Sequence, residues 1–299
     1  MWQLYVLGSL IASAGESVVD KFAIASNRKI DSMVATFWRL VFFSLFTALI
    51  GLLGFWGGIQ LLFAPVVFLV AVAGVINSLF YTYLLRHIEV LGIGAMSYLA
   101  PFLFLVIDTN VLHTSFSGQE VFGIVLMVLG GFAFAIDNKT HHFNKAWSPV
   151  VWVMFLYSAL YVGIEGYAFK YAHAAYGIGS IGFCASYGLA MTAMLLVIVL
   201  LQGKSSQLWG RAARSYLPRI AISKAFDAGS TILWTQALVF AAVSQVSAMQ
   251  SLEPLVLFVA TYLAQDVLRL RVEEKFARGR LQWKAAAIAL LVFGGILMS

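Results

Sequence analysis

Ten stretches of about 20 mostly apolar residues follow one another along this chain, near 2–25, 33–54, 61–85, 91–112, 119–136, 147–171, 177–201, 217–241, 244–268 and 283–298. A helix needs about 20 such residues to cross a hydrocarbon core of about 30 Å. Lipid satisfies no exposed backbone group, whereas a helix satisfies its own. Of the 299 residues 62% are apolar and only 11% charged, a balance from which no water-exposed surface can be built. The chain therefore reads as an all-α, polytopic membrane protein of ten transmembrane helices. No basic segment with a cleavage site precedes the first stretch, so that stretch reads as a retained span.

Charge gives the expected orientation. Fifteen of the 19 Lys and Arg residues fall in the odd-numbered connections or, as Arg219 and Lys284 do, within the first three residues of the span that follows, and none in the even ones or at the termini. The other four, Lys21, Arg39, Lys170 and Lys224, lie in or at the ends of spans. The positive-inside rule then puts the odd connections in the cytoplasm and both termini outside. The same loops, set against anionic lipid, account for the net charge of +6 without nucleic acid. The lone Cys184 has no disulfide partner in the chain and reads as a small buried side chain. The five histidines lack metal-ligand spacing, so neither a metal nor a cofactor is expected.

The chain also repeats itself. Glu16 and Lys21 recur as Glu165 and Lys170, both displaced by 149 positions. AMSYLAP (95–101) matches AMQSLEP (248–254) at a displacement of 153, and Gly130-Gly131 matches Gly294-Gly295 at 164. The expected units are 1–138 and 147–299, joined by a linker at 139–146. Five spans per unit is odd, so the second copy enters the bilayer from the opposite side, as an inverted repeat.

These features resemble the drug/metabolite transporter superfamily, specifically its ten-span EamA-type members. The resemblance rests on the five-plus-five repeat, on Lys21 late in the first span with polar Glu16 five positions earlier, on SLEPLVLF (251–258) and on its fourth-span counterpart LAP (99–101). It implies a central space walled mainly by spans 1, 3, 4, 6, 8 and 9. It also implies cytoplasmic termini, opposite to the charge count. Relatives commonly carry an amide or small polar residue where Glu16 stands, and the small four-span exporters carry their essential glutamate one turn earlier, where this chain has Ser13.

An ionisable group at the centre of a span costs about 2.5–3.5 kcal/mol, so each one needs a partner, a wet cavity or a proton. Ser9, Ser13, Glu16 and Asp20 share one face of the first span, and Ser158, Tyr161 and Glu165 form the matching stripe in the sixth. Gly74, Asn77 and Tyr81 in the third span correspond, 153 positions on, to Asp227, Ser230 and Trp234 in the eighth. Ser97 and Gln250, with Tyr98 and Glu253, flank the prolines of the fourth and ninth spans, where the helix should break. Asp20 beside Lys21 reads as a neutralising pair near the interface, Arg39 as either a helix-end anchor or a counter-ion, and Asp108 as solvated at a span end.

The expected substrate- or ion-binding set is thus Glu16, Glu165, Lys21, Arg39, Asn77, Tyr81, Tyr98, Asp227, Trp234, Gln250 and Glu253. It points to a secondary transporter that exports or exchanges a small polar, zwitterionic or cationic metabolite, such as an amino acid, by alternating access. Protons are candidate coupling ions at the two glutamates. The setting is a multi-pass protein of a bacterial inner membrane. A second reading, an intramembrane enzyme acting on a lipid-linked or isoprenoid substrate, finds support only in the basic loops, which would suit phosphate.

Overall fold

The computed structural model describes residues 1–25, 30–52, 64–87, 100–135, 149–266 and 281–298. The regular elements among them are all helical: α1 (Trp2–Ala25), α2 (Ser32–Ile50), α3 (Pro65–His87), α4 (Ala100–Asn110), α5 (Gly118–Ala135), α6 (Pro149–Tyr176) and α7 (Ser180–Leu201). A single turn at Ser205–Leu208 leads to α8 (Arg211–Leu238), α9 (Val243–Met249), a 3-10 turn (Gln250–Leu252), α10 (Glu253–Asp266) and α11 (Leu281–Leu297). The linker 139–146 and residues 91–99 of the expected fourth span lie outside the described residues.

Four described segments are long and apolar enough to cross a bilayer: Ser32–Ile50, Pro65–Leu85, Pro149–Tyr176 and Ser180–Leu201. α1 and α8 have the length, at 24 and 28 residues, but carry too many charges to qualify by composition. Glu16 and Asp20 of α1 and Lys224 and Asp227 of α8 are paired inside the protein, as shown below. Outward faces are apolar, with Leu4, Ile11, Phe68, Leu69 and Leu201 all exposed, the pattern of a surface in contact with lipid. The ninth stretch breaks at SLEP: the 3-10 turn ends at Leu252 and Pro254 sits in the first turn of α10, where its missing N–H costs nothing.

Hydroxyl pairs tie neighbouring helices together, Thr36 to Thr82 at 2.9 Å and Ser44 to Thr192 at 2.7 Å. Such bonds contribute about 0.6 kcal/mol each in membrane interiors. Asp108 corrects its sequence reading. It is fully buried, and its carboxylate accepts from the backbone N–H of Ser244 at 2.8 Å and the Ser244 hydroxyl at 2.5 Å. A span-end acid can serve this way because the start of α9 offers N–H groups without helical partners.

At the first turn of α2, Asp31 Oδ1 accepts from the N–H of Met33 at 2.9 Å and Oδ2 from Lys204 Nζ at 3.0 Å. Partial burial works to raise the Asp31 pKa, but the bonds from Lys204, Met33 and Val34 outweigh it and hold the carboxyl below its ordinary range. A depressed folded value stabilises above the unfolded pKa, near 3.9, and that contribution is lost as pH falls through the folded value. Asp31→Asn should therefore lower the thermal midpoint at neutral pH, and the gap to wild type should close on acidification below about pH 4.

α5 and α11 approach at glycines. A Cβ at Gly123 would lie 2.8 Å from the carbonyl oxygen of Gly294, and one at Gly294 the same distance from that of Gly123. Small residues let helix backbones meet where lipid gives no hydrophobic drive to association. Gly295, next along the chain, has only Met127 Cε at 4.0 Å. Gly294→Ala should lower the unfolding free energy in detergent by about 1–3 kcal/mol, whereas Gly295→Ala should be neutral or mildly stabilising.

Candidate functional site

α1 and α8 lie side by side with their residue numbers running in opposite directions. Ser9 bonds Ser230 at 3.0 Å, Glu16 meets Lys224, and Asp20 meets Ser223. At the far end of this contact the spacing of Glu16 and Asp20 on one face of α1 brings both carboxyls to two cations. Arg39, reaching in from α2, donates to Asp20 and lies 3.4 Å from Glu16, with its guanidinium over the Tyr81 ring at 5.0 Å. Lys224 donates to Glu16 and, at 2.7 Å, to Asp227 one turn further along α8. Asp20, Arg39 and Lys224 are at most 5% exposed. Three carboxyls thus share two cations; Asp20 and both cations are out of reach of solvent, while the side chains of Glu16 and Asp227 are 13% and 25% exposed.

This cluster forms one end of a cavity of about 250 Å³. Its lining comes from both halves of the chain: Ser13, Glu16 and Ser17 of α1, Arg39 and Phe43 of α2, and Asn77, Ser78 and Tyr81 of α3. Tyr161 and Glu165 of α6, Tyr187 and Met191 of α7, Asp227 and Thr231 of α8 and Glu253 of α10 complete it. Glu165 accepts from the Tyr187 hydroxyl at 2.6 Å, and Glu253 from Ser13 at 2.9 Å. Among the described residues neither of these two acids has an ion-pair partner.

Residues 1–136 match the model of the EamA-like transporter family. Over that segment the chain is similar to a family of membrane transporters. The resemblance seen in the sequence stands on this match, and the protein is an integral, multi-pass membrane protein. Solved structures show the same fold along the full length. One, titled "Crystal structure of protein", matches with a TM-score of 0.65 and 16% identity, covering 100% of this chain and 96% of its own, a likeness that shows the fold alone. No curated protein matches.

Within this EamA-like fold the expected residues divide. Glu16, Arg39, Asn77, Tyr81, Glu165, Asp227 and Glu253 line the one cavity. Trp234 and Gln250 do not: Trp234 is buried beside Gly166 of α6, and Gln250 stands in the 3-10 turn. The side chain of Lys21, and Tyr98 altogether, lie outside the described residues. Asp20 is fully buried within the protein, because Arg39 and Ser223 supply the donors that its burial needs. Arg39 is a counter-ion.

α2 and α7 contribute more lining than the resemblance implies, through Arg39, Phe43, Tyr187 and Met191, while the described part of the fourth span, α4, contributes none. Tyr187 is missing from the expected set. A signal for it existed, since Arg39 displaced by 149 falls at 188, next to Tyr187.

Removing one member of a buried charge cluster leaves the others uncompensated, typically at about 3–5 kcal/mol. Lys224→Met should destabilise the protein by that order in thermal unfolding, and adding Asp227→Asn should recover part of the loss by removing a stranded carboxylate.

Proposed function

We propose that the protein is a secondary transporter of a small polar, zwitterionic or cationic metabolite, built from ten spans as two inverted five-helix repeats and working by alternating access. The observation that carries this reading is a pair of hydrogen-bonding positions, equivalent under the repeat, that differ in state. Displacing Ser9 by 149 gives Ser158, and displacing Ser230 back by 153 gives Asn77. Ser9 and Ser230 are bonded, whereas Ser158 Oγ and Asn77 Oδ1 are both buried without a hydrogen-bond partner among the described residues.

Buried orphans call for an explanation, and of the seven such atoms among the described residues these two are the pair whose repeat equivalents are bonded to each other. A second conformation in which α3 and α6 close as α1 and α8 do here supplies one, because it would pair Ser158 with Asn77 and release Ser9 from Ser230. The flanking contacts correspond as well: a Cβ at Gly8 would meet Leu233, and their equivalents Tyr157 and Phe80 stack edge to face with ring centres 5.4 Å apart. The family match ends at 136, beside the expected boundary of the first repeat at 138.

Glu16 and Glu165 reach the same cavity from opposite halves. A carboxyl with no cation beside it in a membrane interior is held as the neutral acid or against a positive group supplied from outside, which suits Glu165 to proton or charge coupling. The charge asymmetry of the loops supports cytoplasmic odd connections in a bacterial inner membrane. The family match supports transport and lends nothing to the intramembrane-enzyme reading.

Two cysteine pairs test the cycle in proteoliposomes, with uptake of radiolabelled amino acids and amines as the readout. Ser9→Cys/Ser230→Cys should crosslink readily in the state described. Ser158→Cys/Asn77→Cys should crosslink only as the protein visits the other state, and either disulfide should abolish uptake until it is reduced. Uptake that persists with either pair locked, or that is unchanged in Glu16→Gln and Glu165→Gln, overturns the assignment.

A further inference from the structure

We infer that the ligand of this cavity is a monovalent organic ammonium cation and not a zwitterion. The inference rests on the transport reading and narrows its substrate class. It starts from what each charged group on the cavity wall has left to offer. The two cations are already engaged. Arg39 is held between Asp20 and Glu16 with Tyr81 against its face, and Lys224 between Glu16 and Asp227 with Asp20 at 3.8 Å. A substrate carboxylate approaching either one would compete with the protein carboxylates already paired to it.

The acids are differently placed. The bonds that Glu165 and Glu253 carry come from neutral hydroxyls, such as those of Tyr187 and Ser13, and an ionised carboxylate accepts about four. Against the two engaged cations, the described residues of the cavity and its ion cluster hold five carboxyls, Glu16, Asp20, Glu165, Asp227 and Glu253. A low-dielectric cavity with an excess of one sign concentrates counter-charge.

An ammonium group entering the cavity at Glu165 or Glu253 would supply the missing charge and donate to unused acceptor sites, without disturbing the Arg39 and Lys224 pairs. The remaining wall suits the body of such a ligand. Tyr161, Tyr187 and Phe43 present ring surface beside Glu165, able to cover an apolar stem or to hold the cation over a ring face. A cavity of about 250 Å³ holds about eight waters at ~30 Å³ each, which limits the cargo to a small amine.

Matched ligands decide the matter on the full-length protein in nanodiscs. Three bodies, phenyl, indole and butyl, are each offered as the primary amine, the corresponding amino acid and the corresponding carboxylic acid, with binding read by calorimetry and thermal shift. The amine should bind at least about tenfold tighter than its amino acid for each body that fits, and the acid should not bind. Glu165→Gln and Glu253→Gln should each weaken the amine by about tenfold or more, with an unchanged elution volume.

An amino acid or acid that binds as tightly as its amine overturns the proposal, as does the absence of binding by every amine. Should Glu165→Gln fail to fold, the wild-type charge series and Glu253→Gln still decide. Uptake of amino acids in preference to amines by the same protein in proteoliposomes would leave the transport reading standing and reject the cation. Tight amine binding without uptake would do the reverse.

Discussion

Three carboxyls and two cations buried where α1, α2 and α8 meet are the constraint on which the rest of this architecture depends. Each such group alone would cost about 2.5–3.5 kcal/mol at mid-membrane, and together Glu16, Asp20, Asp227, Arg39 and Lys224 would make α1 and α8 poor bilayer segments. The forked guanidinium of Arg39 serves Asp20 and Glu16 at once, and the Lys224 ammonium serves Glu16 and Asp227. Pairing within the protein keeps α1 and α8 compatible with lipid. Neither helix can meet that condition without the other, so the cluster also fixes their mutual register.

The cluster is one-sided. Under the repeat, Lys224 and Ser223 correspond to Ala71 and Val70, and Arg39 to Gly188. The half containing Glu165 therefore has no cation at the corresponding places, and its acid rests against a tyrosine hydroxyl instead. In the proposed cycle, closure at α1 and α8 is held by charge, while closure at α3 and α6 would rely on packing and hydroxyl bonds. The two end states would then differ in energy by what the ion cluster contributes, and a ligand bound more tightly in one state would shift that balance.

Much of the site was legible in the sequence because burying charge in lipid is so unfavourable that any ionisable residue well inside a span is informative. Glu16, Arg39, Glu165, Asp227 and Glu253 were found that way and reach one cavity. Trp234 and Gln250 stand away from this cavity for a different reason. Helical spacing gives a face but not the neighbour that the face meets, and Trp234 turns its ring to Gly166. Tyr187 and Phe43 escaped notice because aromatic residues are abundant here and carry no burial penalty that marks them out.

Apolar run length, loop charge and internal displacement determined, from sequence alone, that this chain lives in a bilayer as helices and which residues within it need partners. Partner choice was decided only in three dimensions. Asp20 took Arg39 and Ser223 from two other helices, and Asp108 took the start of α9 in place of solvent. The physical reason is that a hydrogen bond or ion pair is selected by distance and by exclusion of water, and both are properties of how helices pack, not of the order in which residues follow one another.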